Sequence, residues 1–130
     1  MILVDTSAWI EFFRGRDPVA GRVDELLETN QAAVCGPILS ELRRGFRSQA
    51  DRRRVLPLLE ACHQLHQPAS LWEQAGDLGF ALRRRRVSIK TLDLLIATYA
   101  LDHAIALLTT DRDFLLIQKA GVSLVLAPSR

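Results

Sequence analysis

The 130-residue chain lacks the features that define several protein classes. No apolar run approaches the roughly 20 residues that a membrane-spanning helix needs. No basic segment precedes an apolar one at the N-terminus, so no secretory leader is expected. Only two cysteines occur, Cys35 and Cys62, and they do not have CxxC spacing. Both lie in apolar surroundings, which fits buried thiols in a reducing cytoplasm and argues against a disulfide framework. There is no internal repeat and no linker, so residues 1–130 are expected to form one domain. Apolar residues make up 48% of the chain, which excludes disorder and supports a real core.

The net charge is only +2, but 15 of the 17 basic residues are arginine. Arg43, Arg44, Arg47, Arg52, Arg53 and Arg54 form one cluster; Arg83, Arg84, Arg85 and Arg86 with Lys90 form a second. The arginine fork holds two phosphate oxygens at once, so such runs suit a polyanion. They equally suit solvated helix faces.

The stretch Ile2-Leu3-Val4-Asp5-Thr6-Ser7 reads as a short buried strand ending on an acid, with Thr6 or Ser7 capping a helix over Ala8 to Phe13. Asp17-Pro18 signals a second helix, with Val19, Val23, Leu26 and Leu27 on its apolar stripe. Ala32 to Cys35 has strand length, and Gly36-Pro37 opens a third helix. A fourth is expected over Asp51 to Ala61 and a short strand over Cys62 to His66. Ser70 is expected to cap a helix from Leu71 to about Arg85, with Trp72, Ala75, Leu78, Gly79 and Leu82 inward. Thr91 is expected to cap the next, which runs to Asp102. Ile105 to Leu108 is a strand, Phe114 to Ala120 a helix and Val122 to Leu126 a last strand. Strands alternating with helices imply a parallel α/β sheet with helices on both faces.

In such sheets ligands sit beyond the carboxyl ends of the strands. Asp5 and Asp111 follow strands; Glu41 and Asp93 lie near helix starts. Each alone has an ordinary explanation, as a turn residue or as an acid favoured by the helix macrodipole. Crowded together, carboxylates repel, and a divalent cation relieves that repulsion. An all-oxygen donor set suits Mg²⁺ or Mn²⁺. One or two such ions support attack of an activated water on a phosphodiester.

Four segments carry a resemblance: Val4-Asp5-Thr6-Ser7-Ala8-Trp9-Ile10, Leu39-Ser40-Glu41-Leu42, Leu92-Asp93-Leu94-Leu95-Ile96-Ala97 and Leu108-Thr109-Thr110-Asp111-Arg112-Asp113-Phe114. In this order they resemble the motifs of the PIN domain, most nearly those of VapC-type ribonuclease toxins. The resemblance implies a three-layer α/β/α sandwich around a parallel sheet of four or five strands. It implies Mg²⁺- or Mn²⁺-dependent cleavage of RNA, a cytoplasmic homodimer and a cognate antitoxin that covers the active site. Carried over, Asp5, Glu41, Asp93 and Asp111 are the catalytic, metal-holding acids, with Asp113 as the substitute for Asp111. Thr6, Ser7 and Thr109 are candidates to hold a carboxylate or the metal's waters. Arg43, Arg44, Arg47, Arg83, Arg84, Arg85 and Arg86 are candidates to contact RNA phosphates or the antitoxin. Two turns depart from the family, which often has glycine where this chain has Arg86-Val87-Ser88 and His103-Ala104.

Other classes fit less well. A haloacid-dehalogenase-type phosphatase wants Asp-x-Asp, but position 7 is serine. A receiver domain wants an acidic pair at the first strand, a mid-chain phosphorylatable aspartate and a late lysine. Cys62, His63 and His66 lack a fourth zinc ligand nearby. No histidine is placed to activate Ser7 as a nucleophile. A PIN-like binding module that has lost catalysis is the non-enzymatic alternative, and the retained acids argue against it.

Overall fold

The computed structural model describes all 130 residues, Met1 to Arg130. The element order is β1 (Ile2–Val4), α1 (Thr6–Phe13), α2 (Val19–Glu28), β2 (Ala32–Val34), α3 (Gly36–Gly45) and α4 (Gln49–Glu60). There follow β3 (His63–Gln64), α5 (Leu71–Arg84), α6 (Thr91–Asp102), β4 (Ala106–Leu108) and α7 (Arg112–Lys119). The four strands form one parallel sheet in the order β3-β2-β1-β4. Neighbouring residues of a strand point to opposite faces of the sheet. Leu3 with Val4, Ala33 with Val34, and Leu107 with Leu108 are all fully buried, so both faces are covered. This is the expected α/β/α arrangement. Its most enclosed helix is α6, buried from Asp93 through Ala100 and flanked by α5, α3 and α7.

The strand order places the site. The chain runs β1, β2, β3 toward one edge and then returns to lay β4 on the other side of β1. The crevice of a doubly wound sheet opens where the order reverses, here between the carboxyl ends of β1 and β4. Asp5 follows β1, and its N–H donates to Leu108 O of β4 at 2.9 Å.

Several sequence expectations are corrected. Asp5 itself is the N-cap of α1, accepting from Ser7 N at 3.4 Å, so neither Thr6 nor Ser7 is the cap. Lys90, not Thr91, holds the N-cap of α6. Trp72 is 62% exposed, and Leu71 takes the inward place on α5. One position along a helix is a rotation of about 100°. The expected strand over Val122 to Leu126 reduces to one bridge, Leu126 beside Leu107. The two turns where glycine was missing carry left-handed residues, Arg86 at φ 62° and Ala104 at φ 52°.

Candidate metal-dependent active site

Three elements bring the acids to the crevice. Asp5 ends β1, Asp93 lies in the first turn of α6, and Asp111 caps α7 after β4, with Asp113 in its first turn. Carboxylate oxygens of Asp93, Asp111 and Asp113 all lie within 4.8 Å of one another. Asp111 Oδ1 accepts from Asp113 N at 2.9 Å, which fixes the turn that presents both. Asp5 and Glu41 stand outside this closest group. Glu41 lies in the second turn of α3, and its Oε1 accepts from Thr6 Oγ1 at 2.8 Å.

Asp5 is 4% exposed and tightly held. Its Oδ2 accepts from Ser7 Oγ at 2.7 Å and Thr109 Oγ1 at 2.8 Å. Each hydroxyl in turn accepts a main-chain N–H: Ser7 Oγ from Thr110 at 2.9 Å, Thr109 Oγ1 from Asp111 at 3.0 Å. The α1 start is thereby stitched to the β4–α7 loop through one carboxylate oxygen. The hydrogen bonds to the Asp5 side chain all fall on Oδ2 and none on Oδ1. Thr6, Ser7 and Thr109 therefore orient carboxylates directly.

Asp93 is different. It is 3% exposed, and its Oδ2 is buried with no hydrogen-bond partner. Lys90 Nζ stands 3.5 Å from that oxygen, in ion-pair range but long for a hydrogen bond. Burial pushes the Asp93 carboxyl up from 3.8 to about 7; Lys90 opposes this, while the charges of Asp111 and Asp5 add to it. Asp93, joined by Asp111 and Asp113, holds the Lys90 ammonium above its ordinary value. Burial also pushes the Cys35 thiol up to about 12, with Asp5 and Glu41 adding to the shift, so Cys35 stays a neutral thiol behind the acids. A buried carboxylate oxygen without a donor, beside two more carboxylates, is a donor set that fits a hard divalent cation. The sequence groups Lys90 with the second arginine run and does not by itself place it beside the acids. The available signal was a lysine, one of only two in the chain, three residues before Asp93 at a helix start.

A groove of about 410 Å³ lies between α1, α3 and α4, and Glu41 is among its lining residues. Thr6 and Glu41 meet there through their hydrogen bond; Phe13, Phe46 and Val55 are apolar lining, and Arg14, Arg47 and Arg54 add positive charge, with Arg54 paired to Asp51 at 3.5 Å. The second arginine run is divided. Arg84 lies over the Phe80 ring at 5.9 Å, Arg85 Nη1 donates to Ala120 O, and Arg86 occupies the left-handed turn. The histidines set aside above lie elsewhere, around a cavity with Met1. His63 Nε2 meets Asn30 O at 2.8 Å and His103 Nε2 meets His66 O at 3.0 Å, so main-chain carbonyls occupy those ring nitrogens.

Residues 2–120 match the family model for the PIN domain. Ribonuclease VapC11 of Mycobacterium tuberculosis is 31% identical over 119 residues, covering 88% of this chain and 89% of that protein. Among solved structures, DNA-bound VapBC from Salmonella typhimurium superposes with a TM-score of 0.80 at 16% identity, covering 99% of this chain and 98% of that one. VapBC2 from Rickettsia felis, bound to a promoter DNA fragment, gives 0.77 at 20% identity over 98% of both chains.

Proposed function

We infer the function from one premise: this chain belongs to the PIN-domain family, on its VapC branch. It acts as a divalent-metal-dependent endoribonuclease, the toxin of a toxin–antitoxin pair. One observation supports this best: Asp93, whose buried Oδ2 accepts no hydrogen bond, brings a carboxylate oxygen into a cluster with Asp111 and Asp113. Asp5, Glu41, Asp93 and Asp111, with Asp113 beside them, would hold Mg²⁺ or Mn²⁺. Bound there, the ion supplies positive charge that activates a water and stabilises the phosphate oxygens during in-line attack.

The chain's own residues prepare that step. Ser7 and Thr109 lock Asp5 through Oδ2, and neither bonds Oδ1. Thr6 steers Glu41 by holding Oε1. Arg47 in the groove, with Arg43 and Arg44 in the last turn of α3, supplies cations for the RNA backbone.

The antitoxin reading rests on the same groove. A segment with apolar side chains against Phe13, Phe46 and Val55, and acids for Arg14, Arg47 and Arg54, would end at Glu41 and block the crevice. Self-association fits the outer face of α5, where Trp72 and Phe80 are 62% and 66% exposed.

Brief exposure of RNA to the purified protein, followed by sequencing of the new ends, tests the central reading. Defined ends are expected with Mn²⁺, none in EDTA and none from Asp5→Asn. Equal cleavage by Asp5→Asn, or cleavage undiminished in EDTA, would overturn it.

A further inference from the structure

We propose that Lys90 is the exchangeable internal cation of the acid cluster, a positioning residue that holds Asp93 until a divalent metal displaces it. This rests on the metal-site reading above and adds a residue to it.

Lys90 occupies a helix-cap position that does not favour lysine. Its carbonyl accepts from Asp93 N and Leu94 N, both at 3.1 Å, so it is the N-cap of α6. N-caps favour Ser, Thr, Asp or Asn, whose oxygens satisfy free N–H groups, and this cap makes no side-chain bond. A positive charge there also opposes the helix macrodipole. A broken capping rule points to another use. The use is visible in space: Nζ stands 3.5 Å from Asp93 Oδ2, the oxygen that nothing else satisfies, and the charges of Asp111 and Asp113 also act on it. None of the other three ion pairs in the protein involves these acids.

The residue type suits exchange. The chain uses arginine at 15 of its 17 basic positions. Arginine's rigid fork would grip a carboxylate with two bonds, whereas lysine offers a single point charge on a flexible stem. The Lys90 side chain is 61% exposed, so the ammonium can swing outward into water. Binding of a metal at Asp93 Oδ2 is then a cation exchange. Lys90 steadies the metal-free site against repulsion among the acids and lowers metal affinity by the same interaction. Once displaced, its ammonium stands at the rim of a site that receives a phosphodiester.

Mn²⁺ titration by calorimetry, with melting temperatures in EDTA, separates the possibilities. Lys90→Gln is expected to bind Mn²⁺ about 3- to 10-fold more tightly than the wild type, from loss of one nearby positive charge. It is expected to melt at a lower temperature in EDTA. Lys90→Arg is expected to bind Mn²⁺ no more tightly than the wild type and to keep the EDTA melting temperature. A purely structural cap would lower the melting temperature without tightening Mn²⁺. Equal or weaker Mn²⁺ affinity in Lys90→Gln, beside a wild type that does bind, overturns the role of Lys90 alone. A wild type that binds no Mn²⁺ overturns the metal-site reading and this inference with it.

Discussion

Thr109 Oγ1 donates to Asp5 Oδ2 at 2.8 Å, joining residues 104 apart in sequence. The bond closes the edge of the sheet where β1 and β4 meet. It also ties the position of one acid to the loop that carries two others. Thr109→Val keeps the shape and removes the donor, leaving a buried carboxylate with less support. A loss of about 1.5–3 kcal/mol is expected for a hydrogen bond to a charged group, read by chemical denaturation. RNA cleavage should fall as well, because the Asp111 N–H loses its acceptor in the same change.

Folding raises the Asp93 pKa from 3.8 to about 7, so between those values the native state binds more protons than the unfolded chain. Metal-free stability should therefore fall as pH rises through that window, and level off above it. The Asp93 contribution between pH 5 and pH 8 is about 2–3 kcal/mol. It is measured as the difference between the urea-unfolding pH profiles of the wild type and Asp93→Asn in EDTA. Parallel profiles would mean that the carboxyl is not held up by folding.

Ala104 and Arg86 sit at φ 52° and 62°, where a side chain strains the backbone. Ala104→Gly is expected to stabilise the protein by about 0.5–1 kcal/mol. Its effect on RNA cleavage should be small, because the turn ends α6 at the side away from Asp93. Thermal melting checks the first statement and a cleavage assay the second.

The two arginine runs should behave differently. Arg47 lines the groove that reaches Glu41, whereas Arg85 donates to Ala120 O beside Gly121. Reversing Arg43, Arg44 and Arg47 to Glu should weaken RNA binding and reduce its salt slope by about one for each lost phosphate contact. Arg85→Ala should lower stability and leave the salt slope unchanged.

Much of this architecture is legible in the sequence because it follows from local rules. An apolar triplet running into Asp5 marks a strand that ends on an acid, and helical spacing after it marks α1. The order of the motifs names the acids at positions 5, 41, 93, 111 and 113, and the structure gathers Asp93, Asp111 and Asp113 within 4.8 Å. What escaped the sequence is governed by tertiary contact. Thr91 carries the hydroxyl that helix caps favour, yet the chain turns one residue earlier, at Lys90, whose ammonium faces Asp93 and, beyond it, Asp111 and Asp113 of α7. Leu71 and Trp72 both suit an apolar stripe, and only packing decides which is buried. Val122 to Leu126 has strand character, but a strand exists only where a neighbour supplies partners, and here Leu107 pairs with Leu126 alone.

Melting temperature against Mn²⁺ concentration, for the wild type beside Asp93→Asn, tests the metal site most directly. In EDTA the variant should melt higher, since one buried charge and its repulsion with Asp111 and Asp5 are gone. At Mn²⁺ near a hundredfold over its dissociation constant, the wild type should gain about 2.7 kcal/mol, several degrees in a chain of this size. The variant should gain little. A variant that melts lower in EDTA, and that Mn²⁺ stabilises as much as the wild type, would contradict a metal site built on Asp93.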